Sequence, residues 1–189
     1  MKRETIIKIF DFLKNKEHKD LPEKCLDLLS DRELIKIFET HPDDSQFVYD
    51  GSVFLYDEYI IKLPNDLYVK GGLYLSGSNI KQFPTNLHVR GNLYLFDCKQ
   101  ITELPTNLRV GINLELGGCK KLTKLPNDLF VGGEYLAIEC TNITELPTNL
   151  RVEGDFVISG TPLAKKYTDE EIYEIVASTG GKIVGEINR

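Results

Sequence analysis

The sequence is poor in the residues that chemistry needs. Only three histidines occur among 189 residues, His18, His41 and His88, on three separate stretches. No Ser/His/Asp order, His-Glu-x-x-His motif or phosphate-cradling glycine loop is present. With no assembly of nucleophile, base and oxyanion donors, the chain is expected not to be an enzyme. The four cysteines, Cys25, Cys98, Cys119 and Cys140, form neither a Cys-x-x-Cys pair nor a Cys/His cluster. A zinc site is therefore not expected, nor any other cofactor. Positive charge is in deficit, since 23 Lys and Arg against 29 Asp and Glu leave a net charge of −6. Binding to nucleic acid or an acidic membrane needs a net basic face, so neither partner is expected. No apolar run approaches the roughly 18–20 residues that span a bilayer. The opening "MKRETIIKIFDFLKNKEHKD" is basic and then apolar in the manner of a signal peptide. Lys8, Asp11 and Lys14 interrupt it and no small-residue cleavage site follows, so an intracellular, cytoplasmic location is expected.

What the chain has instead is repetition. At 41% hydrophobic and 28% charged it has the composition of a folded domain, long enough to bury a core. Six segments align on one period: "YDGSVFL" from Tyr49, "VKGGLYL" from Val69, "VRGNLYL" from Val89, "VGINLEL" from Val110, "VGGEYLA" from Val131 and "VEGDFVI" from Val152. The first two steps are 20 residues and the others 21. Leu-Pro or Phe-Pro pairs punctuate them at Pro64, Pro84, Pro105, Pro126 and Pro147. A period this short signals a solenoid, whose coils stack and are not stable singly.

Within a unit, Leu87, Val89, Gly91, Leu93 and Leu95 alternate with residues of the opposite face, the pattern of an extended segment with one side on a core. Gly51, Gly71, Gly91, Gly133 and Gly154 are expected at a corner between two sides of the coil. Ile112 replaces glycine in one unit while Gly111 precedes it, so the bend is expected to shift there by a residue. Beyond the strand, Leu95, Cys98, Ile101, Leu104 and Pro105 follow each other at the spacing of a tight arc with inward apolar points. The cysteines at 21-residue spacing read as a stacked column of reduced, buried thiols, with Ser78 and Thr161 in the same place. The "PTN" and "PND" tripeptides are turn chemistry.

The phrase Leu93-x-Leu95-x-x-Cys98-x-x-Ile101-x-x-Leu104-Pro105 resembles the leucine-rich repeat, with cysteine where many members carry asparagine. The resemblance covers residues 49 to about 163. Its Leu-Pro-x-x-Leu phrase is similar to the short repeats of bacterial effectors and of repeat proteins from phages and large viruses. One departure is the longer Leu-x-Val-x-Gly segment before the strand, which implies a second extended side and leaves the curvature open. The implied fold is mixed α and β: a leucine-rich-repeat solenoid with a parallel β-sheet, a helical N-terminal cap and a helix-containing C-terminal cap. The expected divisions are 1–47 (cap), 48–163 (six coils) and 164–189 (cap). In the first cap Ile6, Ile9, Phe10 and Leu13 share one helical face, and Ser30 with Glu33 form a capping-box pattern. In the last, Thr168 and Glu171 repeat that pattern, Gly180-Gly181 stop the helix, and "KIVGEI" supplies a final edge strand or wraps back over the core.

The resemblance implies protein–protein interaction through the side chains exposed between and beside the strand leucines. The two columns are Phe54, Tyr74, Tyr94, Glu115, Leu136, Val157 and Tyr56, Ser76, Phe96, Gly117, Ile138, Ser159. Phe54, Tyr56, Tyr74, Tyr94 and Phe96 form an aromatic patch, and the expected partner-binding residues are these with Glu115, Leu136 and Ile138. The other reading is that the rings only stack on one another along the sheet, or lie under the N-terminal helices. A further column, Tyr68, His88, Arg109, Phe130 and Arg151, is basic and aromatic, but with Glu145 and Glu153 nearby is too dilute for nucleic acid. Two weaker resemblances concern the N-terminus. Residues 6–21 loosely resemble an F-box helix, which implies a ubiquitin-ligase adaptor, although the Leu13-to-Asp20 gap is long and the leading Leu-Pro is absent. Cys25-Leu26-Asp27 matches the Cys-x-Asp triplet of leucine-rich effector ubiquitin ligases, but those need a large helical domain. For a phage or viral chain, the resemblance implies an inhibitor of a host defence protein.

Overall fold

A computed structural model describes residues 46–55, 63–136 and 142–189. The N-terminal cap expected over 1–47, with its F-box-like helix and Cys25, falls outside these residues apart from its last two positions. Two parallel sheets of seven strands run the length of the described chain. The first contains β1 (Phe47–Tyr49), β3 (Leu67–Val69), β5 (Leu87–Val89), β7 (Arg109–Val110), β9 (Phe130–Val131), β11 (Arg151–Val152) and β13 (Lys182–Ile183), hydrogen-bonded in that order. The second contains β2 (Val53–Phe54), β4 (Leu73–Tyr74), β6 (Leu93–Tyr94), β8 (Leu114–Glu115), β10 (Tyr135–Leu136), β12 (Phe156–Val157) and β14 (Ile187–Asn188), again in chain order. Each coil gives one strand to each sheet, so the fold is a parallel β-solenoid. The Leu-x-Val-x-Gly segment is thus a true second side.

The core is built in columns. Leu73, Leu93 and Leu114 lie one above another in register, followed by Tyr135 and Phe156. All five are buried, and the two rings stack at 4.8 Å. From the first sheet Val69, Val89, Val110, Val131 and Val152 form a parallel buried column. The arc closes the coil as its spacing predicts: Leu95, Cys98, Ile101 and Leu104 are all buried. Each such side chain contributes on the order of 1.5–3 kcal/mol by leaving water.

The corner between the sheets is continuous with them. Gly71 N–H donates to Gly51 O, Gly91 to Gly71, Ile112 to Gly91, Gly133 to Ile112 and Gly154 to Gly133, at 2.8–3.2 Å. Ile112 therefore keeps the glycine register, and the hydrogen-bonded bend does not shift in that coil. Its side chain points to solvent and is 49% exposed. What does move by one residue is the tight approach: a Cβ on Gly111 would lie 2.1 Å from Arg90 O. Elsewhere the crowding falls on the column itself, where a Cβ on Gly91 would lie 2.7 Å from the Gly71 backbone.

The turns before each first-sheet strand place Asp66, Asn107, Asp128 and Asn149 at φ between 52° and 59°. Asn and Asp tolerate this left-handed region better than other side-chain-bearing residues. Coils are also tied here, with Asn149 Nδ2 donating to Asp128 Oδ1 at 2.8 Å.

The C-terminal region departs from the expected cap. After α1 (Pro162–Lys166) comes α2 (Asp169–Ser178), started by a full capping box between Thr168 and Glu171. Gly180 follows at φ 86°, ending the helix as expected. The helices do not finish the stack. The chain returns to it: Lys182 N–H donates to Leu150 O at 2.7 Å, and Gly185 N–H to Gly154 O at 3.0 Å. Ile183, Gly185 and Ile187 thereby take the places of Val152, Gly154 and Phe156 one coil on. The final edge of each sheet is a strand, β13 or β14, and the helix fills the arc beneath it with Ile172 and Val176 buried in the common core.

Candidate partner-binding face

The strands of the second sheet are short, and alternation leaves one side chain of each facing solvent. In successive coils these are Phe54, Tyr74, Tyr94 and Glu115, with Leu136 and Val157 next in register. The Phe54 and Tyr74 rings are parallel at 4.5 Å, inclined by only 6°. Tyr74 and Tyr94 follow at 5.1 Å, tilted by 51°. Cross-strand stacking of this kind contributes about 0.2–1 kcal/mol per pair, so part of the column's role is cohesion between coils. Phe54 nevertheless stays 49% exposed, and Phe96, at the end of the third coil's strand, 51%. The backbone is shaped to the rings: a Cβ on Gly72 would lie 2.5 Å from the Tyr74 ring.

Acids border the rings. Tyr94 is in register with Glu115, and partial burial raises its hydroxyl pKa above the ordinary value, assisted by Tyr74, Glu115 and Glu134. The face thus grades from aromatic in the first coils to acidic further on. Of the expected partner-binding residues, the structure brings Phe54, Tyr74, Tyr94, Phe96 and Glu115 to this face and places Leu136 on the same sheet in the register of Glu115. Tyr56 and Ile138 lie outside the described residues.

Two further columns hold coils together. The thiols of Cys98 and Cys119 donate to Leu75 O and Leu95 O at 3.0 Å, with Ser78 beside Cys98 at 3.7 Å and Thr161 bonded to Ile158 O. Burial pushes the Cys98 thiol up, against lowering hydrogen bonds from Ser78 and Gly77. The second column escaped the sequence reading, which took Asn92 as merely outward. The side-chain oxygens of Asn92, Asn113 and Asp155 each accept the backbone N–H of the equivalent residue one coil on, at 2.9–3.1 Å. The available signal was amide or carboxylate recurring one place after the corner position.

No family model, curated protein or solved structure matches the chain. Among the described residues no group of three or more His, Cys, Asp and Glu clusters, and no helix is long and apolar enough to cross a membrane. The class defined by the geometry is the parallel β-solenoid of two-strand coils.

Proposed function

We propose that this chain is a protein-binding module of the leucine-rich-repeat kind, acting by recognition and not by catalysis. Its contact surface is the solvent face of the second sheet, centred on Phe54, Tyr74, Tyr94 and Phe96, with Glu115 and Leu136 extending it and Tyr56 and Ile138 the residues next to it in sequence. The partner is a protein, and neither nucleic acid nor membrane is engaged. The observation that carries this reading is the run of stacked rings on a column where solvent-facing strand positions are ordinarily polar. Exposed aromatic clusters on rigid strands give large contact area at small entropic cost, which is how interfaces obtain most of their energy. The repeat phrase ending in Leu104-Pro105 supports the family assignment. The test is affinity purification from the native cell with the parent chain and with Tyr74→Glu combined with Tyr94→Glu. Loss of the co-purifying partner with an unchanged melting curve is expected; retention of the partner overturns the assignment of this face.

A further inference from the structure

The solvent face of the first sheet carries charge opposite in sign to the molecule as a whole. Its outward column runs Tyr68, His88, Arg109, Phe130, Arg151 and Lys182, one residue per coil in register. Arg90 joins it at the corner. Arg151 pairs with Glu153 at 2.5 Å, whereas among the described residues no ion pair engages Arg90, Arg109 or Lys182. The cations are interleaved with rings: Tyr68 meets His88 edge-on at 5.8 Å, and the Arg109 guanidinium lies 5.7 Å from the Phe130 centroid. Between these groups the surface is hollowed. One groove of about 250 Å³ is lined by Tyr68, His88, Arg90, Arg109 and Phe130. A second of about 220 Å³ lies between Arg109, Phe130 and Arg151, with Asp128 and Asn149 at its foot. Arg109 and Phe130 line both.

We propose that this face binds an acidic peptide segment of a partner protein, in which Asp or Glu side chains flank an aromatic or large aliphatic residue. The apolar side chain fills the groove between Tyr68 and Phe130, and carboxylates meet the guanidiniums of Arg90, Arg109 and Arg151. A guanidinium fork matches a carboxylate in two parallel hydrogen bonds, and an Arg stacked on a ring is already oriented for it. Arg109 and Arg151 stand two coils apart, about 10 Å, a separation that acids on one side of a short peptide span. A phosphate polyanion fits less well. The net charge of −6 repels it at long range, and Asp128 stands within the second groove. A peptide instead concentrates its few carboxylates where the cations are. The site is on the other sheet from the aromatic column and stands or falls independently of it.

The experiment uses the full chain and a fluorescein-labelled peptide of three Glu-Glu-Phe-Asp repeats, read by fluorescence anisotropy. Saturable binding is expected at about 50 mM NaCl, weakened about tenfold at about 300 mM by screening. Arg109→Glu should weaken it about tenfold or more, and Phe130→Ala should weaken it without changing the salt dependence. Glu153→Gln, which releases Arg151, should tighten it several-fold. Tyr74→Glu, on the second sheet, should leave it unchanged. Thermal melts establish that each variant folds, and the gain from Glu153→Gln does not depend on a damaged protein. Absence of saturable binding, indifference to Arg109→Glu, or preference for a twelve-nucleotide oligothymidylate over the peptide would each overturn the proposal.

Discussion

Glycine has two separate functions in the coils, and alanine substitution distinguishes them. Gly77 sits at φ 74° with open space where a Cβ would go, so Gly77→Ala introduces only left-handed backbone strain, about 1–2 kcal/mol. Gly91 has no such φ, but a Cβ there meets the Gly71 backbone at 2.7 Å. Backbone cannot step aside as a flexible side chain does, so Gly91→Ala should cost more, about 2–3 kcal/mol or beyond. Denaturant melts of the two variants should rank them in that order. Cys98 gives a pH test at the same scale. Its folded thiol pKa lies above the ordinary 9.0, so the unfolded chain ionises first as pH rises. The thiol's contribution is complete below about pH 9 and is lost as pH climbs from there through the folded value. Melting series from pH 8 to pH 10.5 should fall more steeply for the parent chain than for Cys98→Ser.

Among the elements, α2 depends most on a local device. Thr168 and Glu171 satisfy each other's backbone N–H groups at 2.8 and 3.2 Å, and Thr168→Ala removes one half of that exchange. The expected loss is about 1 kcal/mol, seen in hydrogen exchange as faster opening of α2 and β13 before the rest. The helix itself was legible in the sequence because capping is local chemistry. Its place in the stack was not. Ile183-x-Gly185-x-Ile187 repeats Val152-x-Gly154-x-Phe156, but after 31 residues and not 21, since a helix has replaced the arc. A search at fixed period passes over a coil whose connection has changed while its strands have not. The same limit explains the corner. The alternating Leu and Val columns were visible because burial imposes residue type, whereas the Asn92, Asn113 and Asp155 ladder rests on side-chain direction, which spacing leaves undetermined. The aromatic face was legible for that reason too: alternation fixed which residues point outward, and the rings were conspicuous there.

For the whole molecule, the decisive property is that contacts run between neighbouring coils. Excision of residues 111–131 joins Val110 to Gly132, so each remaining residue keeps its register. The shortened chain should fold cooperatively, with a lower melting temperature and the same circular dichroism shape, because stability in such stacks adds by unit and interface. A molten or aggregated product would show that contacts beyond adjacent coils matter. The rings of Phe54, Tyr74 and Tyr94 lie before the cut and should be unchanged by it.

The unbroken hydrogen-bond ladder through the glycine corner also fixes the scale on which anything can read this surface. Because both sheets advance together by about 4.8 Å per coil, the exterior is a ruler with evenly spaced graduations. A ligand that grips more than one coil has to present its own contacts at that interval or a whole multiple of it. Lengthening the spacer between two such contacts would then weaken attachment at fractional positions and restore it at integral ones.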